Sequence, residues 1–157
     1  MNMLSNNKIL PNIGYGDMKF GVAMDAFVDQ YGEPEEIDSL GEDDDYGTTV
    51  LHYWDNSMSI FFVGLSNPVL AGIETDHPDA TLYGEKIMDK SKEEIIALMK
   101  KNGLDSYDEG DGEFVSEDEI VRLSYDESMM DFFFQDGKLI FMNFGVMVDD
   151  NGNIERI

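Results

Sequence analysis

The chain contains no cysteine in 157 residues, which excludes a disulfide framework, a thiolate metal cluster and a cysteine nucleophile. It is also poor in positive charge: 10 Lys and Arg stand against 34 Asp and Glu, for a formal charge of -24. That deficit argues against binding a phosphate backbone, which needs cations to displace counterions, and equally against docking on anionic membrane. No apolar run approaches the ~20 residues needed to span a bilayer. The opening residues 1–12 have neither an apolar h-region nor a small-residue cleavage site. These absences lead to the expectation of a cytoplasmic protein. What is present is 42% hydrophobic and 11% aromatic residues, enough for a real core. At this length roughly 70% of the unfolded surface is buried on folding, so no staple is needed.

A repeat organises the chain. Ile13-Gly-Tyr-Gly-Asp-Met-Lys-Phe20 aligns with Thr81-Leu-Tyr-Gly-Glu-Lys-Ile-Met88, and Trp54 to Val63 aligns with Tyr125 to Phe134. The difference in offset falls on the helices. Ala23, Met24, Phe27, Val28 and Tyr31 recur at helical spacing before Gly32 and Pro34, whereas Ser91 to Asn102 is nearly one turn longer before Gly103. Ser91 and Glu94 form a capping box, and Lys100 and Lys101 suit the negative end of the helix dipole. Six strands follow from the patterning, at about 48–54, 57–63, 69–74, 119–125, 128–134 and 138–144. The expected fold is α+β: a tandem repeat of a helix plus an antiparallel strand meander, with both helices packed on one face of a sheet. The expected organisation is one unit over 1–157, with repeats at 13–74 and 81–144 and a C-terminal tail at 145–157.

Between Glu33 and Asp45 there are eight carboxylates, ending in Glu42, Asp43, Asp44 and Asp45, and between Asp105 and Glu119 there are eight more, including Asp108, Glu109 and Asp111. Both runs fall between helix and first meander strand and read as acidic loops. A solvated charged loop is the plain reading; the functional one is a negative field that steers a basic partner. Neither run has the ligand spacing of a calcium loop, so no ordered metal and no cofactor is expected. His52 and His77 lack a partner motif, and there is no phosphate loop or nucleophile elbow. The residues therefore point away from an enzyme.

A two-residue turn at Asp126-Glu127 pairs Tyr125 with Ser128, Leu123 with Met130 and Val121 with Phe132. It leaves Ser124, Met129, Phe133 and an Arg122–Asp131 pair outside. Carrying that assignment across the repeat puts Val50, Trp54, Phe61 and Val63 against the first helix. Leu51, Tyr53, Met58, Ile60 and Phe62 then form an outer face too apolar for open water, the mark of an interaction surface. The other register makes those five residues core and turns Trp54, His52, Ser57 and Ser59 outward; a bulge would have the same effect.

Phe20 to Pro34, through Gly21, Tyr31, Gly32 and Pro34, resembles the helix signature of beta-lactamase-inhibitor-protein-like repeats, although Val22 and Ala23 replace the usual capping hydroxyl. Ala80-Thr-Leu-Tyr-Gly-Glu-Lys-Ile87 with Ser91-Lys-Glu-Glu-Ile-Ile96 is similar to small acidic immunity proteins of bacterial toxin–immunity systems. The resemblance implies a tandem repeat whose sheet clasps another protein. The expected function is that of a non-catalytic inhibitor or immunity-type protein that neutralises a basic toxin or enzyme. The alternative is a small-ligand or sensory binding module. The partner-binding residues expected are Tyr53, Met58, Ile60, Phe62, Arg122 and Asp131, with the acidic residues named above.

Overall fold

Two short hairpins, turning at Gly16-Asp17 and at Tyr83-Gly84, head the two halves of the chain. In the computed structural model, which describes residues 6–40, 47–64, 68–111, 120–148 and 154–155, strand β1 (Lys8–Leu10) is followed by the first hairpin, β2 (Gly14–Tyr15) and β3 (Met18–Lys19). Helix α1 (Met24–Tyr31) comes next, then β4 (Glu36–Leu40), β5 (Thr48–Tyr53), a single 3₁₀ turn at Trp54–Asn56, β6 (Met58–Val63) and β7 (Val69–Thr75). The same order then recurs: hairpin β8 (Thr81–Leu82) and β9 (Glu85–Lys86), helix α2 (Lys92–Lys101), and strands β10 (Asp108–Asp111), β11 (Val121–Tyr125), β12 (Met130–Gln135) and β13 (Lys138–Gly145). A last pair, β14 (Met147–Val148) and β15 (Ile154–Glu155), closes the chain.

The long strands form an eight-stranded sheet in the order β10-β11-β12-β13-β7-β6-β5-β4, antiparallel throughout. The hairpins and β1 form a second, five-stranded sheet, β3-β2-β1-β8-β9, in which β1 runs parallel to β8. The molecule is thus mostly β, with two large sheets and two helices, which overturns the expected α+β repeat of a helix plus a strand meander with both helices packed on one sheet face. The helices are minor members of the core: α1 buries Phe27 alone, and α2 buries Ile95, Leu98 and Met99. Strands of two residues are too short to show a period, and the parallel β1–β8 pairing is non-local, so neither leaves a local trace. Strands β4 and β10 are hidden by charge instead. They read as acidic loops but pair as the edges of the large sheet, where carboxylates discourage edge-to-edge association.

The core lies on one face of the large sheet. Ile60, Phe62, Ile73, Leu123, Phe132 and Phe144 meet Tyr15, Met18, Leu82 and Ile87 from the smaller sheet side. The Tyr15 and Phe144 rings meet edge to face at 6.0 Å, and Phe27 contacts Phe62 at 5.3 Å. Helix α2 carries the capping box expected of it, Ser91 Oγ accepting from Glu94 N at 3.1 Å, and is two residues longer than α1 rather than a full turn. Ala23 gives α1 no side-chain cap. The C-terminal tail does not turn away: Ile154 packs against the core beside Gly21.

Twin bulges fix the register of the two meanders. Phe61 pairs with Gly72 and Phe62 with Leu70, skipping Ala71; Phe133 pairs with Phe141 and Phe134 with Leu139, skipping Ile140. The seam between the halves is short, running from Met142↔Thr75 to Gly145↔Gly72. Gly145 is held there by space: a Cβ would lie 2.4 Å from the Ala71 carbonyl oxygen, whereas at Gly72 the nearest atom is 3.5 Å away. Gly145→Ala is therefore expected to cost about 2 kcal/mol through overpacking, and Gly72→Ala to stay within about 1 kcal/mol of the parent. Urea unfolding of both variants checks this; equal midpoints would show that the seam is not tight.

Candidate functional site

The sequence-predicted apolar face is core. Leu51, Tyr53, Met58, Ile60 and Phe62 are all buried, and Trp54, assigned inward, is 55% exposed. The cause is the hairpin loop. Tyr53 pairs with Met58 across a four-residue loop, as Tyr125 pairs with Met130, so Tyr53 and not Trp54 occupies the place of Tyr125. A slip of one residue exchanges the two faces of a strand. Tyr53 donates its hydroxyl proton to the Gly32 carbonyl at 2.8 Å, and burial, with Glu33 and Glu35 nearby, pushes its pKa up to about 12. In the other half the loop error spans two residues, so the faces survive but the partners change. Arg122 lies opposite Phe133, and Asp131 opposite Ser124, rather than opposite each other. Asp108 pairs with Ser124 on the same outer face, while Glu109 reaches Lys92 of α2 at 2.9 Å. Asp111 ends β10 opposite Val121. Glu42, Asp43, Asp44 and Asp45 lie outside the described residues.

The outer face of the large sheet carries a polar row across all eight strands. Reading the pairs in order gives Asp108, Ser124, Asp131, Asn143, Glu74, Ser59, His52 and Glu36. Aromatic groups flank it: Phe61 on one side, and on the other Phe141, stacked on Phe133 at 4.4 Å with ring planes 13° apart. Across these strands Arg122 and Lys138 are the only cations among the described residues, and the other described lysines lie in the smaller sheet, in α2 and just ahead of α2. The two layers of the molecule therefore differ in charge.

His52 is the most constrained group on this face. Its Nε2 lies 2.7 Å from Asp38 Oδ2 and its Nδ1 2.7 Å from Ser59 Oγ. A neutral ring protonated on Nε2 satisfies both, donating to Asp38 and accepting from the serine hydroxyl. Trp54 stacks on this fixed ring at 5.2 Å with an interplanar angle of 24°. Beside them Glu74 is largely withdrawn from water. Burial first, then the charge of Asp76, raises its pKa above the usual 4.5, and His52 opposes the shift. At the β10 edge a hydrogen bond with Asp108, then partial desolvation, raises the pKa of Asp126, another sign of crowded like charge.

Asp38, His52 and Ser59 have the composition of an acid–base–nucleophile relay, but Ser59 is only 8% exposed, in mid-strand between two paired neighbours. The relay orients the imidazole and, through it, Trp54. Glu36, Asp38 and His52 also bring one ligand atom each to within 4.8 Å of one another on the open face, where a divalent ion could be held. Sequence reasoning did not single out Glu74, Asp76 or Phe141; Trp54, His52, Ser57 and Ser59 did appear together in the alternative register.

No family model matches the chain, and no curated protein matches it. One solved structure is similar in part: an extracellular protein containing a SCP domain from Bacillus anthracis strain Ames, with 15% identity and a TM-score of 0.47. The alignment covers 92% of this chain and 47% of that one, so the chain spans about half the length of that protein. Likeness of this degree assigns neither fold nor function.

The shift of Glu74 has a signed consequence. Its folded pKa lies above its unfolded one, so its contribution is most favourable at low pH, where both states are protonated. As pH rises from 4.5 through the raised value, the unfolded chain ionises first and stability falls. Glu74→Gln is expected to raise Tm at pH 7 and to leave it unchanged near ~pH 3.5. Thermal melts at the two pH values check this, and an unchanged Tm at pH 7 would remove the desolvation argument.

Proposed function

We propose that this chain is a non-catalytic protein-binding module of the inhibitor or immunity type, which seats a basic protein partner on the outer face of its eight-stranded sheet. One observation carries the reading: a row of polar and acidic groups crosses the whole sheet and meets a half-exposed Trp54 held by a fixed imidazole. A rigid sheet can present an aromatic anchor without losing much side-chain freedom on binding, and Trp is among the residues that dominate interface energies. The carboxylates of Glu36, Asp38, Glu74, Asp131 and Asp108 outnumber Arg122 and Lys138 and give the face an excess of negative charge, which favours rapid encounter with a basic surface. The charge of the whole chain acts in the same direction. A small-ligand module remains the second reading, favoured by a cavity of about 300 Å³ beside Trp54.

A photo-crosslinking residue at position 61, on the outer face but outside the cavity beside Trp54, should capture one basic protein in cells of the native host, and capture should fall as salt is raised. The same residue at position 83, on the smaller sheet, should capture none. Capture from position 83 and not from 61, or from neither, would overturn the reading. Trp54→Ala should leave stability within about 1 kcal/mol, because the ring is largely exposed, and should cost ~2 kcal/mol or more in affinity for the captured partner.

A further inference from the structure

The cavity beside Trp54 has a chemistry of its own. Trp54 and Phe141 line it with aromatic surface, Ser57 and Ser59 with hydroxyls, and Glu74 and Asp76 with carboxylates. It sits mid-sheet where β6, β7 and β13 adjoin, since Ser59 pairs with Glu74 and Glu74 with Asn143. A carboxylate drawn out of water is costly unless a cation or several donors meet it. Among the described residues neither Glu74 nor Asp76 has an ion pair: the four that form engage Asp38, Asp79, Glu85 and Glu109. The lysines of the smaller sheet and α2 belong to the other layer. Of the large sheet's own cations, Arg122 reaches over Gly110 at the β10 edge and Lys138 starts β13, and neither forms any of the four pairs. A cation from another molecule can supply the compensation that these do not.

We propose that this cavity is the seat of an arginine side chain presented by the partner, its guanidinium held between Trp54 and Phe141 and hydrogen-bonded to Glu74 and Asp76. The inference rests on the reading above and names the group that the face receives. Guanidinium suits the walls better than ammonium, being planar, weakly hydrated and able to stack on aromatic faces while its N–H groups fork toward carboxylates. The volume, about 300 Å³, lies at the small end of ligand sites and suits one side chain. The wall is also prepared in advance. Asp38 and Ser59 fix His52, and His52 supports the Trp54 ring, so little order is lost when the cation enters.

Trp54 is the only tryptophan, so its emission reports on this cavity alone. Titration with Nα-acetyl-arginine amide should give a saturable change. The neutral isostere Nα-acetyl-citrulline amide should bind roughly tenfold more weakly or worse, as should the arginine amide to the variant carrying Glu74→Gln and Asp76→Asn. Circular dichroism of the variant establishes that it is folded. A response that does not saturate, an equal response to citrulline, or an unchanged one in the folded variant would overturn the proposal. The two readings fail separately. If the arginine amide is silent while position 61 still captures a basic protein, the cavity assignment falls and the face reading stands. If the amide binds and position 61 captures nothing, the face reading falls.

Discussion

The pairing of β7 with β13 is the constraint on which the rest depends. Four residue pairs, from Met142↔Thr75 to Gly145↔Gly72, join two four-stranded runs into one sheet. Without that seam each run would end at an open edge, with backbone groups free to pair with other chains. With it, the outer face is continuous, and Glu74 comes to lie between Ser59 of its own half and Asn143 of the other. The candidate cavity exists only because of this junction, since Phe141 reaches it from the second half and Trp54 from the first. The tight approach at Gly145 is the local condition for closing the seam.

The smaller sheet solves the opposite problem. Its two hairpins are too short to be stable alone, and they gain support by packing Tyr15, Met18, Leu82 and Ile87 onto the inner face of the large sheet. Strand β1 links them by lying antiparallel to β2 and parallel to β8. This layer and α2 hold most of the lysines, and Lys86, Lys90 and Lys92 are engaged with Asp79, Glu85 and Glu109. Pairing the cations on that side leaves the outer face, where the large sheet supplies only Arg122 and Lys138 among the described residues, with an excess of negative charge, a division that composition alone cannot reveal.

Strands and helices with strong periodicity were legible in the sequence, and so was the Ser91–Glu94 cap. The faces of the first half were not, and the reason is specific. Trp54 and Tyr125 are the natural pair by residue type, but the ladder aligns Tyr53 with Tyr125, because Trp54 begins the loop instead of ending the strand. Ser57 and Met129, both at positive φ, close the two four-residue loops, and neither is a Gly or Asn that would have flagged the turn. The charged edge strands β4 and β10 were missed because carboxylates suppress the strand signal. The cavity was out of reach because its residues come from three strands whose adjacency is set by the seam.

Glu74 gives the physical link between fold and site. A residue paired in mid-sheet, largely withdrawn from water and beside a second carboxylate, works against folding at neutral pH. Ser or Thr would sit there at lower cost, as Ser59 and Ser124 do in the same row. Stability surrendered at one place, inside an otherwise well-packed sheet, is the pattern of groups whose compensation arrives with a ligand. A cation entering between Trp54 and Phe141 would return lost solvation to Glu74 and meet the exposed Asp76 at the same time, because both line one cavity. Binding would then release a penalty already present in the folded chain, so the carboxylate that weakens the free protein strengthens the complex.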